Sequence, residues 1–292
     1  MSEMISISGA VDLHIHSYPC LFPRIADDRT VAESAAAAGM RAIMLKCHHE
    51  STVSRAYLLN RLCLGVSVFG GIVLNSYVGG INPAAVEAAL RNGGKEVWMP
   101  TVDAAYHAQM HGGRTGSYDV QTSGDHPEGT RGFSVLQDGK LSEQTWQVLD
   151  LIARYGAILG TTHQSFGEIL ALVKGARERG VEKILITHPF FKVPGLSLIQ
   201  LEELVGLGAL AEFGYCTVSP MWAYATIEQV RAAIERLGPG HCVLISDAGQ
   251  RHNPMPAESL RVFAQCLYEK GLSEQSIYQM IVATPAELLD LK

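Results

Sequence analysis

A chain of 292 residues, 47% hydrophobic and 18% charged, can bury a sizeable core and suits a single barrel-sized domain. Its net charge of −6, with no run of Lys or Arg, lacks the electrostatic footprint of a nucleic-acid binder or of a protein held on an anionic membrane. No cationic apolar leader opens the chain, no apolar run approaches a membrane span, and the six cysteines (Cys20, Cys47, Cys63, Cys216, Cys242, Cys266) form no C-x-x-C pair; a cytoplasmic protein is expected, with reduced thiols packed mostly among aliphatic neighbours.

The first predicted strand is Val11-Asp12-Leu13-His14-Ile15-His16. Side chains alternate along a strand, so His14 and His16 share one face while Leu13 and Ile15 share the other. From there one phrase repeats: an amphipathic helix, a glycine past its end, then a short apolar strand. Gly39 precedes Ala42-Ile43-Met44-Leu45, and Val68 to Leu74 forms the third strand. Gly93 and Gly94 precede Val97-Trp98-Met99, Gly156 precedes Ala157-Ile158-Leu159, and Gly180 precedes Ile184-Leu185-Ile186. Gly208 precedes Ala209-Leu210-Ala211, and Gly238 and Gly240 precede Cys242-Val243-Leu244-Ile245. Glycine at that position supplies the left-handed turn that sends the chain back to a sheet. Capping boxes are expected at Thr30/Glu33, Ser165/Glu168, Ser197/Gln200, Thr226/Gln229 and Thr284/Glu287, and Pro83 and Pro285 each sit where a first helical turn tolerates a missing N–H.

Eight near-continuous apolar strands alternating with helices predict an α/β fold, a (β/α)₈ barrel whose parallel sheet is buried on both faces. A doubly wound open sheet is the competitor, but no G-x-G-x-x-G follows the first strand. One connection, residues 102–141 after the fourth strand, is far longer than the rest. It is expected to be a lid or a contact in a homo-oligomer, with Gln137-Asp138-Gly139-Lys140 as a hairpin turn and His107, His111 and His126 as solvated loop residues.

A barrel works at the C-terminal ends of its strands. In order, those ends deliver His14 and His16; Lys46, His48 and His49; Asn75; Thr101 and Asp103; Thr162 and His163; Thr187 and His188; Glu212; and Ser246 and Asp247. Two imidazoles on one face of one strand end can grip a divalent cation, for which neutral imidazole is a common ligand.

This series resembles the amidohydrolase superfamily, in which the first strand carries H-x-H, the fifth and sixth each carry a histidine, and the eighth ends in aspartate. The matching residues are His14 and His16, His163, His188 and Asp247, in order along the whole chain. The wording Ile186-Thr187-His188-Pro189 is similar to the metal-dependent hydrolase and decarboxylase branches. The resemblance implies that His14, His16 and His163 hold the metal. Asp247 then touches it and accepts a proton from attacking water, and His188 binds a second ion, polarises the substrate or orients the water.

The fourth strand, Glu96-Val97-Trp98-Met99-Pro100-Thr101, departs from the pattern of two-metal members, which carry a bridging carboxylated lysine or glutamate there. Lys46 is the one lysine at the right height. It is carboxylated, binds a substrate carboxylate, or pairs with Asp247 or Glu212. His48 is favoured over His49 as the inward residue. Glu212 either supports the site or touches substrate, and Tyr18 and Arg24 are candidates for an anionic substrate group unless Arg24 pairs with Asp27 or Asp28.

The expected activity is metal-dependent hydrolysis of an amide, lactone or ester-like bond in a small metabolite, with one or two divalent ions. Zinc comes first, with manganese, iron or nickel as the others a His/Asp set accepts. The alternatives are a decarboxylase or hydratase on the same metal, a phosphoesterase barrel, and a metal-binding barrel without turnover.

Overall fold

The computed structural model describes residues 4–116, 118 and 132–291. His126 lies outside them.

The strands run β1 (Val11–Ile15), β2 (Ala42–Leu45), β3 (Ser67–Val73), β4 (Glu96–Trp98), β5 (Leu136–Gln137), β6 (Lys140–Leu141), β7 (Ile158–Gly160), β8 (Ile184–Thr187), β9 (Leu210–Gly214) and β10 (Cys242–Ile245). Eight of them form one sheet in the order β1-β2-β3-β4-β7-β8-β9-β10, with a helix in each connection, which is the (β/α)₈ barrel expected from the apolar runs. By contacts the chain divides into two compact units: residues 1–46, 54–70 and 210–292, and residues 47–53 and 71–209.

In the first unit β1 pairs with β2 and β9 with β10, and a parallel bridge from Ile15 to Ala248 ties the first strand to the turn after the last. Leu13, Ile15, Ile43, Leu45, Leu244 and Phe263 are fully buried there. In the second unit β3, β4, β7 and β8 pair in parallel register around Trp98, Leu159 and Leu185. Transfer of each such side chain from water stabilises the fold by about 1.5–3 kcal/mol, so these strands anchor whatever their ends carry.

The local signals divide into those the structure keeps and those it overrides. The capping boxes at Ser165/Glu168, Ser197/Gln200 and Thr226/Gln229 are formed in full, and Asn82 caps the helix that begins with Pro83. Thr30 is not a cap. Asp27 takes that place, accepting from the Thr30 backbone N–H at 2.7 Å, because it lies at the residue where extended backbone gives way to helix. Thr284 makes no cap either, since the helix of Thr284–Leu288 continues without a break from a π-helical turn over Gln279–Ala283. The connection after β4 has structure of its own. It holds a short helix, Ala105–Met110, and the hairpin β5–β6, whose Asp138 (φ 51°) and Gly139 (φ 76°) both take the left-handed values of a two-residue hairpin turn.

All six cysteines are free. Cys47, Cys216 and Cys242 are buried, but Cys20 and Cys266 are half-exposed and Cys63 is exposed, so only half of them match the expectation of core thiols. No helix among the described residues is long and apolar enough to cross a membrane.

Candidate metal centre

In the first unit the strand ends bring three acceptor atoms together. Asp247 Oδ1 lies 3.2 Å from His14 Nε2 and 3.2 Å from His16 Nε2. All three residues are buried, and their ligand atoms lie within 4.8 Å of one another. Ligands about 2.0–2.2 Å from a tetrahedral cation stand roughly 3.4 Å apart, so this set has the size of a first coordination shell.

The far nitrogens of the two rings determine what the near ones can do. His16 Nδ1 lies 3.0 Å from the Lys46 backbone carbonyl, which only accepts, so Nδ1 carries the proton and Nε2 keeps its lone pair. His14 Nδ1 faces Glu212 Oε2 at 3.5 Å, with Glu212 fully buried, and a carboxylate likewise asks that nitrogen for its proton. Burial holds the His16 pKa well below the ordinary 6.5, and the nearby charges of Arg24 and Lys46 push it further down. His16 Nε2 therefore presents a lone pair to Asp247 Oδ1 with no proton between them, and His14 Nε2 does the same when its Nδ1 holds the proton toward Glu212. Three converging acceptors repel one another unless a cation lies among them. The donor set fits a divalent ion.

Below this set, Asp12 ties β1 to β10. Its Oδ1 accepts from the His14 N–H at 3.2 Å and from the Ser246 N–H at 3.1 Å. Burial pushes its carboxyl pKa up to about 7, against the lowering effect of those hydrogen bonds. The turn after β10 is pressed against β1: the His16 N–H donates to Ala248 O at 2.8 Å, and a Cβ on Gly249 (φ 137°) would stand 1.8 Å from His16 O. Only glycine fits there. Asp247 itself has φ 47°, a left-handed conformation that costs energy in a non-glycine residue and recurs at functional sites.

Lys46 is buried in this unit, and Arg24 is only 8% exposed. Neither acid proposed as an Arg24 partner takes that role: Asp27 caps a helix, and Asp28 pairs with Arg55 and Ser17. Tyr18 is 57% exposed.

The second unit carries its own polar cluster at the ends of its strands. His163 Nδ1 lies 2.8 Å from His107 Nδ1, the His107 ring stacks on His111 with centroids 4.0 Å apart, and His188 stands 5.1 Å from His163. His107 is fully buried and His111 nearly so, which corrects the expectation that both are solvated loop residues. Histidines four residues apart at the end of a short Ala-rich helix pack on their neighbours because the long connection folds back onto the strand ends. The i,i+4 spacing was the available signal. His48 is the buried member of its pair, 2.7 Å from Thr101 Oγ1, while His49 is half-exposed against Tyr77. Thr162 (φ 55°) and His188 (φ 31°) share the left-handed backbone of Asp247.

With the geometry in view, residues 9–212 match the sequence profile of a family of unknown function, DUF6282. The chain belongs to that family. The match takes in His14, His16, His163, His188 and Glu212 but stops short of Asp247. No curated protein matches the sequence significantly. Among solved structures, an amidohydrolase from Pseudomonas aeruginosa is similar over 97% of this chain and 95% of its own, at 12% identity and a TM-score of 0.60. A dihydroorotase is similar over 98% of this chain and 72% of its own, at 15% identity and a TM-score of 0.59. A phosphotriesterase homology protein from Escherichia coli, holding phosphate in its active site, is similar over 97% and 99%, at 14% identity and a TM-score of 0.56. These likenesses show a shared barrel fold.

Proposed function

We propose that this protein is a metal-dependent hydrolase that cleaves an amide, lactone or ester-like bond in a small metabolite. The convergence of His14 Nε2, His16 Nε2 and Asp247 Oδ1 within the size of one coordination shell carries the reading. Structural neighbours that are themselves hydrolases support it. A divalent ion held by these residues, zinc being the first candidate, supplies Lewis acidity that lowers the pKa of a water and polarises an acyl oxygen.

The chain's own residues do the rest. The Lys46 carbonyl fixes the tautomer of His16, and the Glu212 carboxylate beside His14 Nδ1 favours the same tautomer there, with both Nε2 atoms facing Asp247. The Asp247 carboxylate takes the proton of the attacking water and returns it to the departing alkoxide or amine, which leaves Asp247 ionised for the next turnover. His163 as a further ligand, His188 as the group that polarises substrate or orients water, and Lys46 as a bridge if carboxylated rest on the resemblance to the superfamily. His48, Tyr18 and Arg24 are assigned to substrate on their places at the strand ends.

A panel of lactones, amides and aryl esters assayed with wild-type and Asp247→Asn protein tests this. The variant should lose turnover by about 10²-fold or more while keeping its fold and much of its metal. An equally active Asn variant would place the base elsewhere.

A further inference from the structure

We propose that Arg24 is a carboxylate-recognition residue, so that the substrate bears a carboxylate beside the bond that reacts; this rests on the hydrolase reading of the first unit. Arg24 is 8% exposed, yet its side chain ends in a guanidinium cation. Nε donates to Cys20 Sγ at 3.3 Å, and Cζ stands 5.7 Å from the centroid of the Phe22 ring. Its Nη2 is buried and has no hydrogen-bond partner among the described residues. The acids within reach along the chain are engaged elsewhere, Asp27 with the Thr30 N–H and Asp28 with Arg55 and Ser17. A buried cation with an unsatisfied donor is costly to fold, and a ligand that supplies the missing acceptors offsets that cost.

The backbone places this cation at the metal centre. Arg24 forms an antiparallel bridge with Gln250, and the Ile25 N–H donates to Gly249 O at 2.8 Å. Gln250 in turn donates from Nε2 to the Asp247 carbonyl at 3.0 Å. Arg24 is thus fastened to the same turn that carries Asp247 and lies against His16. Its charge acts on His16 and also on Cys216, whose thiol is pushed well up by burial and by the Asp247 charge.

A cation cannot serve as a metal ligand. It can hold the anionic end of a molecule whose other end meets the metal. With Nε taken by sulfur, the remaining Nη edge can meet the two oxygens of a planar carboxylate, and one cation matches the single charge of that group better than the charge of a phosphate dianion.

The test uses acetate and inorganic phosphate as probes. The full chain is stripped of metal with 1,10-phenanthroline, dialysed, and held at constant ionic strength, and binding is read by calorimetry and thermal shift. Wild type should bind acetate saturably and more tightly than phosphate. Arg24→Met should weaken acetate by about 10- to 100-fold, the range of a charged hydrogen bond, and Arg24→Lys should fall between. Circular dichroism checks folding, and Arg24→Gln replaces the Met variant if that one unfolds. Acetate binding that survives in the neutral variants, is missing from wild type, or is weaker than phosphate binding overturns the proposal. Metal content measured on the same batches before stripping, and again after reloading with Zn(II) and desalting, separates the two readings. Tight metal without Arg24-dependent acetate binding sinks this inference alone, and the converse sinks the hydrolase alone.

Discussion

Asp12 shows how much a single residue beneath the site can carry. A carboxyl between the apolar Val11 and Leu13, in a strand buried throughout, is visible in the sequence. What the sequence could not show is its partners, because the Ser246 N–H comes from 234 residues away. The consequence is a pH dependence of stability. The folded carboxyl titrates at about 7 and the unfolded one near 3.8, so between these values the folded state holds a proton that the unfolded state has released. Raising the pH through that window therefore favours unfolding, and the loss is complete above it. Asp12→Asn removes the titration while keeping an oxygen for the His14 and Ser246 N–H groups. In metal-free protein, the melting temperature of the variant relative to wild type should rise steadily from pH 4 to pH 7 and then level off. A difference that does not change with pH contradicts the assignment.

Among the elements, legibility followed how local each signal is. Ser165, Ser197 and Thr226 were read correctly because both halves of a capping box lie within four residues. Thr30 was misread because Asp27, three residues earlier, offers an equally good acceptor at the true start of the helix. Strand order put His14, His16 and Asp247 among the polar residues of one rim, and the resemblance to amidohydrolases picked them out of that series. The burial of His107 could not, for it depends on His163, 56 residues on. The left-handed backbones of Thr162, His188 and Asp247 also left no trace in composition. The turn after β10 gives the sharpest test at this scale. Gly249→Ala adds a Cβ that meets His16 O in a conformation L residues avoid. Strain of about 1–3 kcal/mol or more should lower the melting temperature by several degrees and weaken metal binding at least tenfold, read by thermal melts and metal titration. A variant with wild-type values for both would show that the turn is free to move away from His16.

At the scale of the whole molecule, alternating apolar runs and glycines sufficed for the barrel, whereas the chemistry depends on which strand ends carry which donors. The central claim is that His14, His16 and Asp247 form a cation site. Elemental analysis of wild-type and His14→Ala protein, each loaded with Zn(II) and desalted, tests it most directly. The account predicts at least one tightly held ion per chain in wild type and less than half of that in the variant, because one ligand of the set is gone. A wild-type count near two that falls to one or none in Lys46→Ala would assign Lys46 to a bridge, and a count near one would leave it a cation beside His16. Wild-type protein that holds no metal, or His14→Ala that keeps its full complement, would contradict the account.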